Sequence, residues 1–185
     1  MSTNSLVGYL NEDGTVVTSY VHYDGYTIGV GEMLLENYNT DKCARDLAST
    51  LGYASSLKET VAESHEDRAN SDEPVVFEDY HKFEEYILEC SYLEYVYVWD
   101  TNKGEWLVAS WETTSSPVDN YWNGFESLVT VYVREGYETV SRWKRMVSEE
   151  RLPSEYLDHS DDLNTLVTKW HEIGMKEVTR EALSV

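Results

Sequence analysis

Asn4-Ser5-Leu6-Val7-Gly8-Tyr9-Leu10, then Asn11-Glu12-Asp13-Gly14, then Thr15-Val16-Val17-Thr18-Ser19-Tyr20-Val21 is the stretch on which the fold turns. Both flanking runs read as strands, and Asp13-Gly14 supplies the positive φ that a tight hairpin turn needs. A second hairpin is predicted where Tyr95 to Trp99 and Glu105 to Ser110 flank Thr101-Asn102-Lys103-Gly104. Between them the period changes from two to 3.6. Val30, Met33, Leu34 and Tyr38 share one face of a short helix. Thr40 caps a second, which buries Cys43, Ala44, Leu47, Ala48 and Leu51 and stops at Gly52. A third runs from about Glu78 to Tyr92, with Tyr80, Phe83, Ile87 and Cys90 inward and Glu78, Glu85 and Glu89 outward. Lys58 to Pro74 loses apolar periodicity and is predicted as an exposed loop.

Beyond residue 110 the pattern is less regular. Residues 125–133 carry both strand composition and a helical face, with the balance toward helix. Leu163, Leu166, Val167, Trp170 and Ile173, behind Ser160, Asp161 and Asp162, predict a final amphipathic helix. The expected fold class is α+β: antiparallel hairpins packed against helices, with a helical C-terminal third. We expect one domain over 1–185, an α+β part over 1–110 and a mainly helical extension over 111–185.

Charge bounds function more tightly than fold does. The chain has 185 residues, with 35 acidic against 14 basic side chains and a formal net charge of -21. Its apolar share of 41%, with six Trp and fifteen Tyr, lies well above the range in which a charged chain stays unfolded. Such a balance excludes ordinary phosphate-backbone binding and disfavours anionic membranes, because neither surface finds a basic patch. Three readings of the charge compete: solubility alone, adaptation to high salt, which fits poorly with the many large Tyr, Trp and Leu side chains, and a negative surface shown to a basic partner. No apolar run near Met1 suits a signal peptide or a membrane span, so a cytoplasmic setting is expected. Cys43 and Cys90 form neither a disulfide framework nor a zinc set, and both read as small core residues.

The N-terminal half resembles a group of small uncharacterised proteins from bacteriophages and bacteria. The residues that carry the likeness are Val7-Gly8-Tyr9-Leu10-Asn11-Glu12-Asp13-Gly14, His22-Tyr23-Asp24-Gly25-Tyr26, Val30-Gly31, Leu34-Leu35-Glu36-Asn37-Tyr38-Asn39, Ser55-Ser56-Leu57 and Glu94-Tyr95-Val96-Tyr97-Val98. Ser64-His65-Glu66-Asp67-Arg68 departs from the pattern, with an acid where the group carries an arginine. The resemblance spans roughly residues 5 to 110 and implies a phage or mobile-element origin, with no established activity to carry over.

Three constellations carry possible chemistry. His22 and Asp24 alternate on an extended segment and could act as base and orienter or hold a metal; the competing reading is a turn. His65, Glu66 and Asp67 with His81 match no usual ligand spacing, and Gly25, Gly29 and Gly31 lack the lysine and positive charge of a phosphate loop. No catalytic residue, cofactor or metal is therefore assigned. The acids are the stronger signal: twelve lie between Glu59 and Glu94 against Arg68 and Lys82. Glu66, Asp67, Asp72, Glu73, Glu78, Asp79, Glu85 and Glu89 are the expected partner-binding residues, and Glu78, Glu85 and Glu89 would line one helix stripe. The expectation is an inhibitor of a basic, nucleic-acid-binding host protein, with a small His22/Asp24 enzyme and a virion or assembly component as alternatives. Arg134, Arg142, Lys144, Arg145 and Arg151 gather five of the fourteen basic side chains and could pair with the acidic face or with a second copy.

Overall fold

The computed structural model describes residues 3–66, 72–112, 121–122, 124–132 and 134–135. Both hairpins form as predicted. β1 (Ser5–Leu10) pairs antiparallel with β2 (Val16–Val21), Leu10 facing Val16, and Gly14 turns between them at φ 89°. A π turn (Thr27–Gly31) leads into α1 (Glu32–Asn37). α2 (Asp41–Thr50) starts on Thr40, whose hydroxyl accepts from the Cys43 N–H, and buries Ala44, Leu47 and Ala48.

The predicted loop over 58–74 is corrected. After β3 (Tyr53–Ala54), Val61–Glu66 forms α3, and Val75–Phe77, just beyond, forms β4. The reason is local. Thr60 Oγ1 accepts from the Glu63 N–H while the Glu63 carboxylate accepts from the Thr60 N–H, which is a capping box on a polar sequence. α4 (Tyr80–Glu89) is shorter than predicted, because Asp79 takes the N-cap and accepts from the Lys82 N–H. Phe83 and Ile87 are its buried residues.

β5 (Tyr95–Asp100) and β6 (Glu105–Glu112) make the second hairpin. Sequence alone did not show what joins the hairpins: β1 and β5 pair in parallel, Ser5 beside Tyr95 and Leu10 beside Asp100. The result is an α+β fold on a mixed sheet with the order β3-β2-β1-β5-β6-β7. β4 also pairs with β2, and both β7 (Tyr121–Trp122) and β8 (Glu126–Ser127) pair with β6. Residues 128–132 are helical, so the described part of the ambiguous stretch over 125–133 holds a two-residue strand and a helical turn.

The strand period sorts the sheet into two buried faces. Leu6, Val16, Val96 and Val98 pack with Phe83 and Ile87 of α4. On the opposite face Tyr9 bonds Asp41 and Arg45 of α2, the Ser19 hydroxyl donates to the Ala48 carbonyl, and the Trp106 indole donates to the Tyr38 carbonyl. Helices thus cover both faces, which is why β1 and β5 read as nearly continuous apolar runs rather than strict alternations. Contacts divide the chain into two compact units, Met1–Leu128 and Val129–Val185. The sheet belongs wholly to the first. Of the expected helical extension over 111–185, residues 111–112, 121–122 and 126–127 are strand and 128–132 and 134–135 are helical, while the final helix over 160–173 lies outside the described residues.

Candidate functional site

A change of partners along one sheet edge opens a cavity. On the outer side of β2, Val16 to Thr18 pair with β4, while Tyr20 and Val21 pair with β3. Ser19 falls between the two short strands and turns its hydroxyl to the other face, where it accepts from the Gly52 N–H at 2.9 Å. Leu6 and Thr18 floor the resulting cavity of about 390 Å³. Its walls are Tyr20 of β2, Tyr53 of β3, and Tyr86 and Tyr92 from α4 and the turn after it. Asp72 and Glu73, both exposed, stand at the rim beside Val75. Among the described residues no lysine or arginine lines it.

The four rings are ordered against one another. Tyr20 and Tyr53 stack with centroids 5.5 Å apart and planes 27° apart, and Tyr92 meets Tyr20 edge-on at 6.1 Å and 71°. The Tyr86 and Tyr92 hydroxyls lie 3.0 Å apart and share a hydrogen bond. Burial pushes the Tyr20 phenol up to about 12, with Tyr53 and Tyr92 adding to the shift. Burial likewise raises Tyr86, helped by its bond to Tyr92. These phenols stay protonated at neutral pH, so the cavity offers neutral ring faces and places its negative charge on the rim carboxylates.

The acids of this region sit as the sequence places them along the chain, but not on one stripe. Asp72, Glu73, Glu78, Asp79, Glu84, Glu85, Glu89 and Glu94 are all exposed, and Lys82 is the one Lys or Arg within that span. Glu78 precedes α4 instead of lying on it, and Asp79 is committed to capping. Glu85 is held by Lys82 at 2.8 Å and by His81 at 3.3 Å. The expected Glu78, Glu85, Glu89 line is therefore corrected to a looser acidic face in which Glu84 and Glu89 carry the outward charge of α4. Glu66 ends α3, and Asp67 lies outside the described residues.

His22 and Asp24 part company. Asp24 adopts φ 59°, which breaks the extended alternation that would have aimed both side chains one way. The His22 ring lies 3.2 Å from the Tyr20 hydroxyl through Nδ1 and packs against Tyr23. The Asp24 carboxylate accepts from the Tyr26 hydroxyl and lines a different cavity of about 310 Å³, with Glu32 and Glu36. Gly29 is fixed by close approach: a Cβ there would sit 2.2 Å from the Asp24 carbonyl oxygen. That packing, rather than phosphate chemistry, accounts for a glycine in this loop.

Among the described residues no three His, Cys, Asp or Glu side chains converge as metal ligands, and no helix is long and apolar enough to cross a membrane. Cys43 and Cys90, expected in the core, are half-buried free thiols, Cys90 at the C-cap of α4. Of the basic cluster, Arg134 is described and exposed. Arg142, Lys144, Arg145 and Arg151 lie outside the described residues. The tyrosine cavity is the feature that sequence reasoning missed. Its rings come from three separate stretches, β2, β3 and α4 with the turn after it, and only the excess of tyrosine hinted at it. No family model, curated protein or solved structure matches the chain.

Proposed function

We propose that this protein is a phage- or mobile-element-encoded inhibitor that captures a basic, nucleic-acid-binding host protein through the acidic face around α4. The observation that carries this reading is the segment from Asp72 to Glu94, with eight exposed carboxylates against Lys82 alone, set beside half-buried and exposed tyrosines. Fully solvated, such a concentration of like charge is self-repulsive; a basic partner removes the repulsion and gains long-range steering toward the complex. Nucleic acid would be excluded because it needs the same basic surface, without any match to phosphate spacing. The encounter takes place in the host cytoplasm.

The test is affinity capture from nuclease-treated host lysate over a salt gradient, followed by direct titration of the captured protein. The expected partner is basic, elutes with salt and is displaced by DNA or RNA. Glu84→Lys with Glu89→Lys spares the capping Asp79 and the paired Glu85. It should weaken binding by about tenfold or more, since each reversal changes attraction into repulsion. Unchanged affinity in a folded double variant would overturn the assignment of this face.

A further inference from the structure

We infer that the tyrosine-lined cavity at the break in the β2 edge is a receptor for an arginine side chain of the partner. This rests on the acidic-face reading, because it assigns one residue of that partner to one cavity. The shape comes first. Tyr20 and Tyr53 stack and Tyr92 meets Tyr20 edge-on at 71°, so rings in two orientations line the space with the parts of their faces that the mutual contacts leave open. Cations bind over such faces, and a guanidinium does so best, being planar and weakly hydrated.

The remaining parts of an arginine also find matching surface. Leu6 and Thr18 give the floor a largely apolar character suited to the methylene stem, and Glu73, exposed at the rim, places a carboxylate where the fork of N–H donors would emerge. Among the described residues no basic side chain lines the cavity. Val75 and Tyr92, each 50% exposed, flank the opening. They supply the apolar contact that surrounds a buried anchor at an interface. A lysine ammonium fits less well: it is compact and strongly hydrated, and the open carboxylates of α4 serve it without desolvation.

The phenol chemistry is consistent with this use. Burial and mutual contact keep the Tyr20 and Tyr86 protons on at neutral pH, so the walls attract through their ring quadrupoles and are not themselves anions.

The experiment titrates the full chain with hexa-arginine and, separately, hexalysine at low salt, following tyrosine ring resonances and affinity together. Hexa-arginine should bind about tenfold more tightly and shift the Tyr53 and Tyr92 ring signals, whereas hexalysine should leave those signals in place. Tyr53→Leu with Tyr92→Leu should lower hexa-arginine to the level of hexalysine without changing hexalysine. Tyr53→Phe with Tyr92→Phe should restore the preference, since the ring faces and not the hydroxyls bind. Equal affinity for the two peptides with unmoved ring signals overturns the arginine receptor, and this readout on the unmodified chain stands even if the leucine variant does not fold. Should the Glu84→Lys, Glu89→Lys variant weaken both peptides in that case, the acidic-face reading survives the loss of the cavity. Failure of both peptides to bind at low salt removes both.

Discussion

Tyr38 shows how one phenol ties two layers and carries a pH signature. Its hydroxyl donates to the Lys58 carbonyl at 2.8 Å, its own carbonyl receives the Trp106 indole N–H, and its ring is buried. Burial, with the nearby charges of Glu63 and Asp46, pushes the phenol from 10.0 to about 12. Tyr38→Phe should cost about 1 kcal/mol at neutral pH, the worth of a buried hydrogen bond. The sign then follows from linkage. A raised folded-state value means that the stabilising proton is fully held below pH 10, and the benefit drains away as pH climbs from there toward 12. The gap between native protein and Tyr38→Phe should therefore narrow above about pH 10 in paired urea titrations, with the other titrating groups cancelling. A gap that stays constant or widens contradicts the burial of this phenol. At this scale the sequence was legible where a residue acts on its neighbours, as Thr40 does on Cys43. It was illegible for Tyr20, Tyr53 and the local pair Tyr86 and Tyr92, which come together only through tertiary packing. His22 and Asp24 alternate in sequence, but the left-handed backbone of Asp24 removes the shared side that alternation implies.

Elements shorter than two turns obey end effects more than periodicity, and α3 is the clearest case. Six residues without an apolar stripe would not hold a helix by propensity alone. Thr60 and Glu63 cap it reciprocally, and the buried Ser64 hydroxyl donates to the Thr60 carbonyl while accepting from the Lys58 N–H. Thr60→Ala should destabilise the protein by about 1 kcal/mol. It should also speed amide exchange over residues 61–66 relative to the sheet, and Thr60→Ser should restore both. Exchange in that segment indifferent to Thr60→Ala would show that the helix is held by something other than its cap. Here the Thr-x-x-Glu spacing was present in the sequence, but the surrounding charge made the segment read as solvated loop. β4 escaped notice for a related reason: three residues are too few for a period, and Val75 and Val76 are exposed as edge residues often are. The long elements, β1, β2, β5, β6 and α2, were legible because their turn residues, caps and alternation agree.

Charge is a property of the whole chain, and it acts on folding and on binding in opposite directions. The two hairpins are local, but the β1–β5 pairing brings Ser5 to Tyr95 and leaves no local trace in the sequence, so the sheet order could not be read from it. Bringing those ends together also compacts a chain of net charge -21. The compact state keeps the carboxylates from Asp72 to Glu94 on one short segment with Lys82 as its single Lys or Arg. Unfolding separates them, so mutual repulsion favours the unfolded chain. Salt shortens the reach of that repulsion, from about 30 Å at about 0.01 M to about 3 Å at about 1 M. The urea midpoint should accordingly rise as sodium chloride is increased over that range, most steeply at the low end, while association with a basic partner weakens over the same range. Glu84→Gln with Glu89→Gln should flatten the rise by removing two of the repelling charges without touching a cap or an ion pair. A midpoint that falls with salt would mean that attractive pairs such as Lys82 with Glu85 outweigh the excess of acid. The negative surface would then be a source of stability in its own right, rather than a strain that a basic partner relieves.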